Sequence, residues 1–298
     1  MSIIRVALIF VLILILGGCS GNSGQTVVPE KDGVATNEKE EDKRVIATTL
    51  AITEILDQLE VSLIGVPTTG FEIPKRYKDA IEVGNPMQPD MEVISTLGAD
   101  KVLSVTTLEY DLKDSFKVAG VDAEFLNLQG VDDMVNTINE LGEEFGREKQ
   151  ATELSGRIDK KIKEIEQQTS NYESPKVLIL LGIPGSYLVA TEHSYVGNLV
   201  ETAGGTNAIS GQAEEYISAN TEYLHEADAD IILRLSHGLP DEVAKMFNEE
   251  FKTNDIWKHF KAVKTERVYD LQEPRFATTA NLHVIDALDE LTKLLYEK

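Results

Sequence analysis

Two stretches of the chain, 130 positions apart, align without a gap, and this repeat constrains the fold more than any other feature. The first copy runs from Glu92 to Val105 and the second from Glu222 to Leu235, with Glu, Ile or Leu, Ala-Asp and Leu at equivalent places. Each copy has the pattern of a helix followed by a strand. A period of this length is too long for a solenoid, and it indicates two similar lobes.

The two copies differ in the residues that flank them. Met87 lies just before the first copy, and His237 lies just after the second. His237 follows the apolar run Ile231–Leu235, so it is expected at the carboxyl end of a strand, where open α/β sheets bind their ligands. Met87 lies between two prolines and is poorly placed for a core. We therefore expect one soft or borderline metal ligand from each lobe near the cleft between them.

The amino terminus has the pattern of a bacterial lipoprotein signal. The apolar run from Val6 to Leu16 is too short to span a bilayer but fits the apolar region of a secretory signal. It ends in Leu16-Gly-Gly-Cys19, which resembles a lipobox, so Cys19 is predicted to be the lipidated first residue of the mature chain. Because Cys19 is the only cysteine, a disulfide framework is ruled out. The residues that follow, up to 43, are polar and predict a flexible tether, with the folded body anchored to the membrane by lipid alone.

Charge and motifs exclude two broad classes of function. The formal net charge is −23, which argues against nucleic-acid binding because that binding depends on neutralising phosphates. The same charge gives an anionic ligand no long-range steering, so such a ligand needs local contacts. The chain has no G-x-S-x-G or H-E-x-x-H motif and no cysteine nucleophile apart from the lipid site. The sequence therefore predicts a protein that is not an enzyme.

Strand and helix patterns alternate through both halves, which is typical of parallel sheets with helices on each face. A Lys/Glu-rich stretch from Glu148 to Gln168 predicts one long, largely solvated helix. The apolar run Lys176–Leu181 predicts the first strand of a second lobe, followed by a turn from Gly182 to Tyr187. The predicted fold class is α/β, with two Rossmann-like lobes joined by one long helix. The predicted segments are a signal peptide (1–18), a tether (19–43), an N-terminal lobe (44–145), a connecting helix (146–172) and a C-terminal lobe (173–298).

Seven short stretches give the chain a family resemblance: Ile64–Thr68, Arg76–Asp79, Gly84–Pro89, Val177–Leu180, Pro184–Thr191, Ile232–Gly238 and Asn254–Val263. With the lipobox and the long helix, they resemble the helical-backbone class (class III) of substrate-binding lipoproteins that feed ABC importers. Within that class the chain is similar to the haem-binding lipoproteins of the iron-regulated surface determinant system of Gram-positive bacteria. The resemblance covers most of the chain from residue 44 onward.

The resemblance implies that haem is held between the lobes, with Met87 and His237 as axial ligands of its iron. The chemistry of the two side chains agrees, because His with Met is a known axial pair for haem iron. Met is a poor ligand for Zn, Mn or Ca, which prefer imidazole, thiolate or oxygen. Thr48 and Thr49 precede a predicted helix, whose free N–H groups are candidates for binding the haem propionates; an ordinary N-cap is the alternative.

Other candidate residues have less specific signals. Tyr187 is the main rival ligand, because phenolate can bind ferric haem, and it is otherwise expected as a pocket wall. Glu92 and Glu201 are similar to the family's docking positions, where one acid on each lobe pairs with arginines of the permease. The remaining histidines are expected to be structural or solvated: His193, His225, His259 and His283.

The implied function is a membrane-anchored haem receptor on the extracellular face of a Gram-positive cell. Its partners would be haem-donating surface proteins and an ABC permease, and it would act as a monomer. The alternative is a ferric-siderophore or cobalamin receptor of the same fold. Siderophore pockets usually contain several arginines, and only Arg234 and Arg275 are candidates here. A metal-ion receptor would need three or four converging His, Asp or Glu ligands, and the sequence does not supply a recognisable set.

Overall fold

The structure, a computed structural model, describes residues 43–220, 224 and 227–297. Several predictions fall outside the described residues. These are the signal peptide, nearly all of the tether with Cys19, His225, and most of the helical half of the second copy.

The first half of the described chain forms a five-stranded sheet in the order β3-β2-β1-β6-β7, and every neighbouring pair in it is parallel. All three residues of the central strand β1 are fully buried, as expected for a parallel sheet covered on both faces. A separate two-stranded hairpin, β4–β5, follows β3. The strands are β1 Val45–Ala47, β2 Leu63–Val66, β3 Ile81–Glu82, β4 Gly84–Asn85, β5 Gln88–Pro89, β6 Lys101–Val105 and β7 Ala123–Leu126.

The helices of this half begin at caps that the sequence supplies. Thr49 caps α1, and Asp90 caps α2 by accepting hydrogen bonds from the N–H groups of Glu92 and Val93. The helices are α1 Leu50–Gln58, α2 Met91–Thr96, α3 Glu109–Val118 and α4 Val131–Glu144.

The predicted long helix is present as α5, from Glu148 to Thr169, and it lies in sequence between the two sheets. Its 22 residues correspond to about 33 Å at 1.5 Å per residue. It packs against α4 and against the last helix of the chain, and Lys161 Nζ lies 2.9 Å from Asp289 Oδ1 on that helix. Within the described ranges, no helix combines the length and the apolar character needed to cross a membrane.

The second half forms a sheet in the order β11-β9-β8-β12-β13, with β10 also paired to β8. Its strands are β8 Lys176–Ile183, β9 Ser186–Ala190, β10 Thr206–Asn207, β11 Tyr216–Ser218, β12 Ile231–Ser236 and β13 Val268–Leu271. Its helices are α6 Tyr195–Thr202, α7 Pro240–Thr253, α8 Lys261–Lys264 and α9 Val284–Tyr296. The α/β fold class is confirmed.

The prediction of a parallel second sheet is wrong at one edge of that sheet, where β11 and β9 lie. Strands β9 and β11 are antiparallel to their neighbours. The predicted turn from Gly182 to Tyr187 is in fact a tight hairpin in which only Pro184 and Gly185 separate β8 from β9. Two residues cannot form the crossover that a parallel pair requires, and Gly185, with φ +82°, permits the tight reversal.

The strand halves of the repeat occupy equivalent places. β6 pairs with the central strand β1 of the first sheet, and β12 pairs in the same way with β8 of the second. Each is fourth in its sheet order. The inference of two similar lobes agrees with this arrangement. The exact boundaries of the lobes and of the connecting segment stay predictions, since the described residues belong to one compact unit.

Candidate ligand-binding site

A cavity of about 950 Å³, mouth included, is lined by segments from both sheets. From the first half it takes the segments after β1, β2 and β6 and the β4–β5 hairpin. From the second half it takes the segments after β12 and β13. The parallel strands therefore direct their carboxyl ends toward one space, as open α/β sheets do at their ligand sites.

Met87 lies in the turn of the β4–β5 hairpin and lines this cavity. The turn is held by Asn85, whose Oδ1 accepts hydrogen bonds from the N–H groups of Met87 and Gln88, each at 3.0 Å. The Met87 residue is 59% exposed, which is unusual for a methionine that fills a core. An exposed thioether at a cavity wall is available to a ligand.

His237 follows β12 and lines the cavity from the opposite half. Its N–H donates to the carbonyl oxygen of Gly182 at 3.0 Å, which anchors its backbone to β8. Its Nδ1 lies 2.8 Å from Oε1 of Glu273. This hydrogen bond raises the pKa of His237, as does the charge of Glu273, and together they outweigh the lowering by burial. Because Nδ1 is engaged, Nε2 is the ring nitrogen left to bind a ligand.

Glu273 also lines the cavity, and the sequence reasoning missed it. The register of β12 with β13 pairs Arg234 with Asp270 and Leu235 with Leu271. The same offset of 36 residues relates His237 to Glu273. Pairing the two predicted strands in register would have found this carboxylate.

The walls of the cavity are mostly apolar. Phe71 is 43% exposed there. The other apolar wall residues include Leu50, Ala51, Pro86, Val105, Leu108, Pro274 and Ala277. Of the lining residues, all of which belong to the described part of the chain, none is Lys or Arg, and the carboxyl groups are those of Glu54 and Glu273.

The two predicted propionate contacts behave differently. The Thr48 hydroxyl donates to the carbonyl oxygen of Leu103 at 3.1 Å, and the residue is buried inside the sheet. Thr48 is not among the lining residues. Thr49 does line the cavity, and its hydroxyl caps α1 by accepting from the N–H of Ile52 at 3.4 Å. The first turn of α1 therefore borders the cavity, while Thr48 links the end of β1 to β6.

Tyr187 is not among the lining residues of the cavity. It lies on β9, where its ring packs 5.8 Å from Phe247 and 6.2 Å from Trp257, centroid to centroid. Its hydroxyl donates to Glu250 Oε1 at 3.0 Å. Burial raises the pKa of this phenol well above its ordinary value, and the hydrogen bond to Glu250 adds to that effect. The structure thus places Tyr187 in an aromatic cluster of the C-terminal half.

Glu92 and Glu201 lie outside the cavity, one in each half. Glu92 is exposed in the first turn of α2, beside a shallow depression that also contains Met91 and Val118. Glu201 is exposed near the end of α6, where partial burial and the neighbouring Glu192 raise the pKa of its carboxyl group. Both residues are exposed to solvent.

The other described histidines are not among the lining residues of the cavity, although His283 contacts one of them, Glu54. His283 Nε2 is 3.7 Å from Glu54 Oε1, and His193 Nε2 is 4.0 Å from Glu192 Oε1. His259 is exposed on a short 3₁₀ helix. In the described ranges, no three or more His, Cys, Asp or Glu side chains come together in a group that could hold a metal ion.

The chain is similar to known proteins both in sequence and in structure. A family model described as "Periplasmic binding protein" matches residues 45–274. The high-affinity heme uptake system protein IsdE of Staphylococcus aureus (strain Newman) is 42% identical over 299 residues, covering 100% of this chain and 99% of the relative. A solved ABC transporter substrate-binding protein from Listeria monocytogenes EGD-e matches with 50% identity and a TM-score of 0.83, covering 87% of this chain and 100% of that one. Staphylococcus aureus IsdE complexed with heme matches with 45% identity and a TM-score of 0.83, covering 86% and 99%.

Proposed function

Because the chain belongs to the periplasmic binding protein family, we propose that it is a substrate-binding protein that holds haem between its two sheets and passes it to an ABC permease. The observation that carries this proposal is the cavity lined by Met87 from the first half and His237 from the second. A thioether and an imidazole from opposite walls suit the two axial positions of a haem iron. No enzymatic step is part of this function.

The walls suit a porphyrin as well. Burying several hundred Å² of apolar surface at about 25 cal/mol per Å² contributes on the order of 10 kcal/mol before the losses of association. The negative charge of the protein opposes the propionates only weakly, since salt screens such charges over about 8 Å. For the propionates we propose the first turn of α1 with Thr49, since the Thr48 hydroxyl is already bonded to Leu103.

A ferric-siderophore or cobalamin receptor is less well supported by the geometry. The two arginines that the sequence offers for such a ligand are engaged elsewhere. Arg234 is buried and binds Asp270 with two hydrogen bonds of 2.7 Å, and Arg275 pairs with Glu290 at 2.7 Å. Neither lines the cavity. The cavity therefore lacks the arginines that are usual in a siderophore pocket.

The remaining parts of the proposal concern the cell surface. We infer that Cys19 is lipidated and that the following tether holds a monomer on the extracellular face of a Gram-positive membrane. The support is the lipobox-like sequence and the match to a Staphylococcus aureus protein along its full length. Glu92 and Glu201 are proposed to dock the two halves on the permease. Haem-donating surface proteins are the proposed source of the ligand.

The test is a titration of the purified protein with haemin, followed by the Soret band. The wild-type protein is expected to give a sharpened, shifted band with one haem per chain. His237→Ala and Met87→Leu are expected to change the band and weaken binding, since each removes one iron ligand while leaving the walls. His259→Ala and Met91→Leu are the matched controls outside the cavity. Unchanged spectra for both His237→Ala and Met87→Leu would show that the ligands are wrong, and no binding by the wild type would reject haem itself.

A further inference from the structure

We propose that Glu273 is a positioning residue for His237, which fixes its tautomer and strengthens it as an iron ligand. This inference rests on the proposed function, in which His237 binds the iron. The observation is the 2.8 Å contact between His237 Nδ1 and Glu273 Oε1 at the wall of the cavity.

The fold builds this contact from both sides. His237 and Glu273 continue two neighbouring parallel strands, β12 and β13, at equivalent positions beyond the last paired residues. Three residues earlier in the same register, Arg234 and Asp270 form an ion pair with two hydrogen bonds that holds the two strands together. The backbone of His237 is fixed in addition by the carbonyl oxygen of Gly182. The imidazole and the carboxylate are therefore placed by the sheet.

The segment that carries Glu273 is braced beyond the sheet. The side-chain amide of Asn281 donates to the carbonyl oxygens of Pro274 at 3.0 Å and of Thr279 at 3.3 Å. The N–H of Ala280 donates to the carbonyl oxygen of Leu128, in the first half of the chain, at 2.8 Å. These bonds fix the loop across the junction of the two halves, so the backbone beside Glu273 is held in place.

The chemistry follows from the geometry. A carboxylate can only accept, so in the neutral ring the hydrogen bond requires the proton on Nδ1 and leaves the Nε2 lone pair free. Without such a partner a neutral imidazole also adopts the Nε2–H tautomer, and in that tautomer the proton must leave Nε2 before iron can bind there. The negative charge of Glu273 also makes the imidazole a stronger electron donor. Partners of this kind typically change metal affinity by 10- to 100-fold.

The experiment compares Glu273→Ala, which removes the acceptor, with Glu273→Gln, which keeps an oxygen acceptor but removes the charge. Glu249→Gln, an exposed acid on α7, is the control. In the haem-free protein, at a pH high enough for the His237 ring to be neutral, ¹⁵N NMR is expected to show the Nδ1–H tautomer in the wild type and in Glu273→Gln. Glu273→Ala is expected to lose it. Circular dichroism and thermal unfolding report whether each variant is folded.

The haem-bound protein supplies the second readout. Glu273→Ala is expected to raise the dissociation constant for haemin by about 10- to 100-fold. Glu273→Gln is expected to bind nearly as tightly but with a more positive midpoint potential, because the donor has lost its anionic partner. An unchanged tautomer and unchanged affinity in a folded Glu273→Ala would overturn the proposal. Failure of the wild-type protein to bind haemin would instead reject the proposed function, and the tautomer measurement would still test the role of Glu273.

Discussion

Gly182 links the packing of the C-terminal half to the position of His237. It lies near the end of β8, and its carbonyl oxygen accepts the hydrogen bond from the His237 N–H at 3.0 Å. A Cβ atom built on Gly182 would collide with side chains of Val243 and Phe247. Both belong to α7 and are fully buried, so neither can turn into solvent. We predict that Gly182→Ala displaces α7, destabilises the protein and disturbs the anchor of His237.

The size of the effect follows from the collision. Inserting one carbon into a packed core typically costs about 1–3 kcal/mol, and here the obstacles are a Val and the body of a Phe ring. Because a domain of this size loses roughly 2–4 °C in Tm per kcal/mol, the expected fall is about 2–12 °C. The affinity for haemin should fall as well, since the backbone that carries the proposed ligand moves with β8.

Gly156 provides the matched control. It lies on an exposed face of α5, and a Cβ atom added there meets nothing within 4 Å. Gly156→Ala removes the entropic disadvantage of glycine in a helix and should stabilise the protein by about 0.5–1 kcal/mol. Thermal and urea unfolding measure the change in stability of each variant. Haemin titration measures the expected loss of affinity in Gly182→Ala. A Gly182→Ala protein that unfolds at or above the wild-type temperature would refute the reasoning about α7.

Three further predictions follow from the same structure. The double variant Glu92→Ala, Glu201→Ala should abolish haem uptake by cells but leave the haemin affinity of the purified protein intact; loss of both together would contradict the docking role. Haemin at 100 times its dissociation constant should stabilise the wild-type protein by about 2.7 kcal/mol in urea unfolding, and less in His237→Ala; an equal shift in both would mean that binding does not involve His237. Partial burial raises the pKa of Asp230, but hydrogen bonds from Lys261 and from the N–H of Lys176 outweigh it and lower the pKa overall. The stabilisation is therefore present above the unfolded-state pKa of about 3.9 and is lost as the pH falls through the folded value. In urea unfolding, Asp230→Asn should be less stable than wild type at pH 7, and the difference should shrink as the pH is lowered below about 3.9.

The sequence predicts those parts of the fold whose pattern is local. The helix from Glu148 to Gln168 is present to within one residue at its end, because its polar face and missing prolines are visible in the sequence alone. The strand of each repeat copy is likewise where the apolar run lies. The antiparallel β9 was missed because a Gly-Ser-Tyr segment after Pro184 reads equally well as a turn, and only the pairing with β8 reveals a strand.

The same distinction explains the site. Met87 and His237 have local signals, namely two flanking prolines and the end of an apolar strand. Glu273 and Phe71 have none, because their place at the cavity depends on which strands are neighbours. Tyr187 illustrates the converse: its local pattern is compatible with a pocket wall, but β9 carries it to the cluster with Phe247 and Trp257 instead.

The two proposed iron ligands are held in very different ways, and this difference determines how much each should contribute to haem binding. His237 is fixed through its backbone by Gly182 and through its ring by Glu273, within a six-stranded sheet. Met87 lies in a hairpin of two residue pairs, held by Asn85 and largely exposed. A flexible thioether can adjust to an iron whose position the imidazole has already set. A fixed imidazole cannot move to an iron that the thioether has positioned. The imidazole side is thus preorganised and the thioether side adaptable, so removal of His237 should weaken haem binding more than removal of the Met87 sulfur.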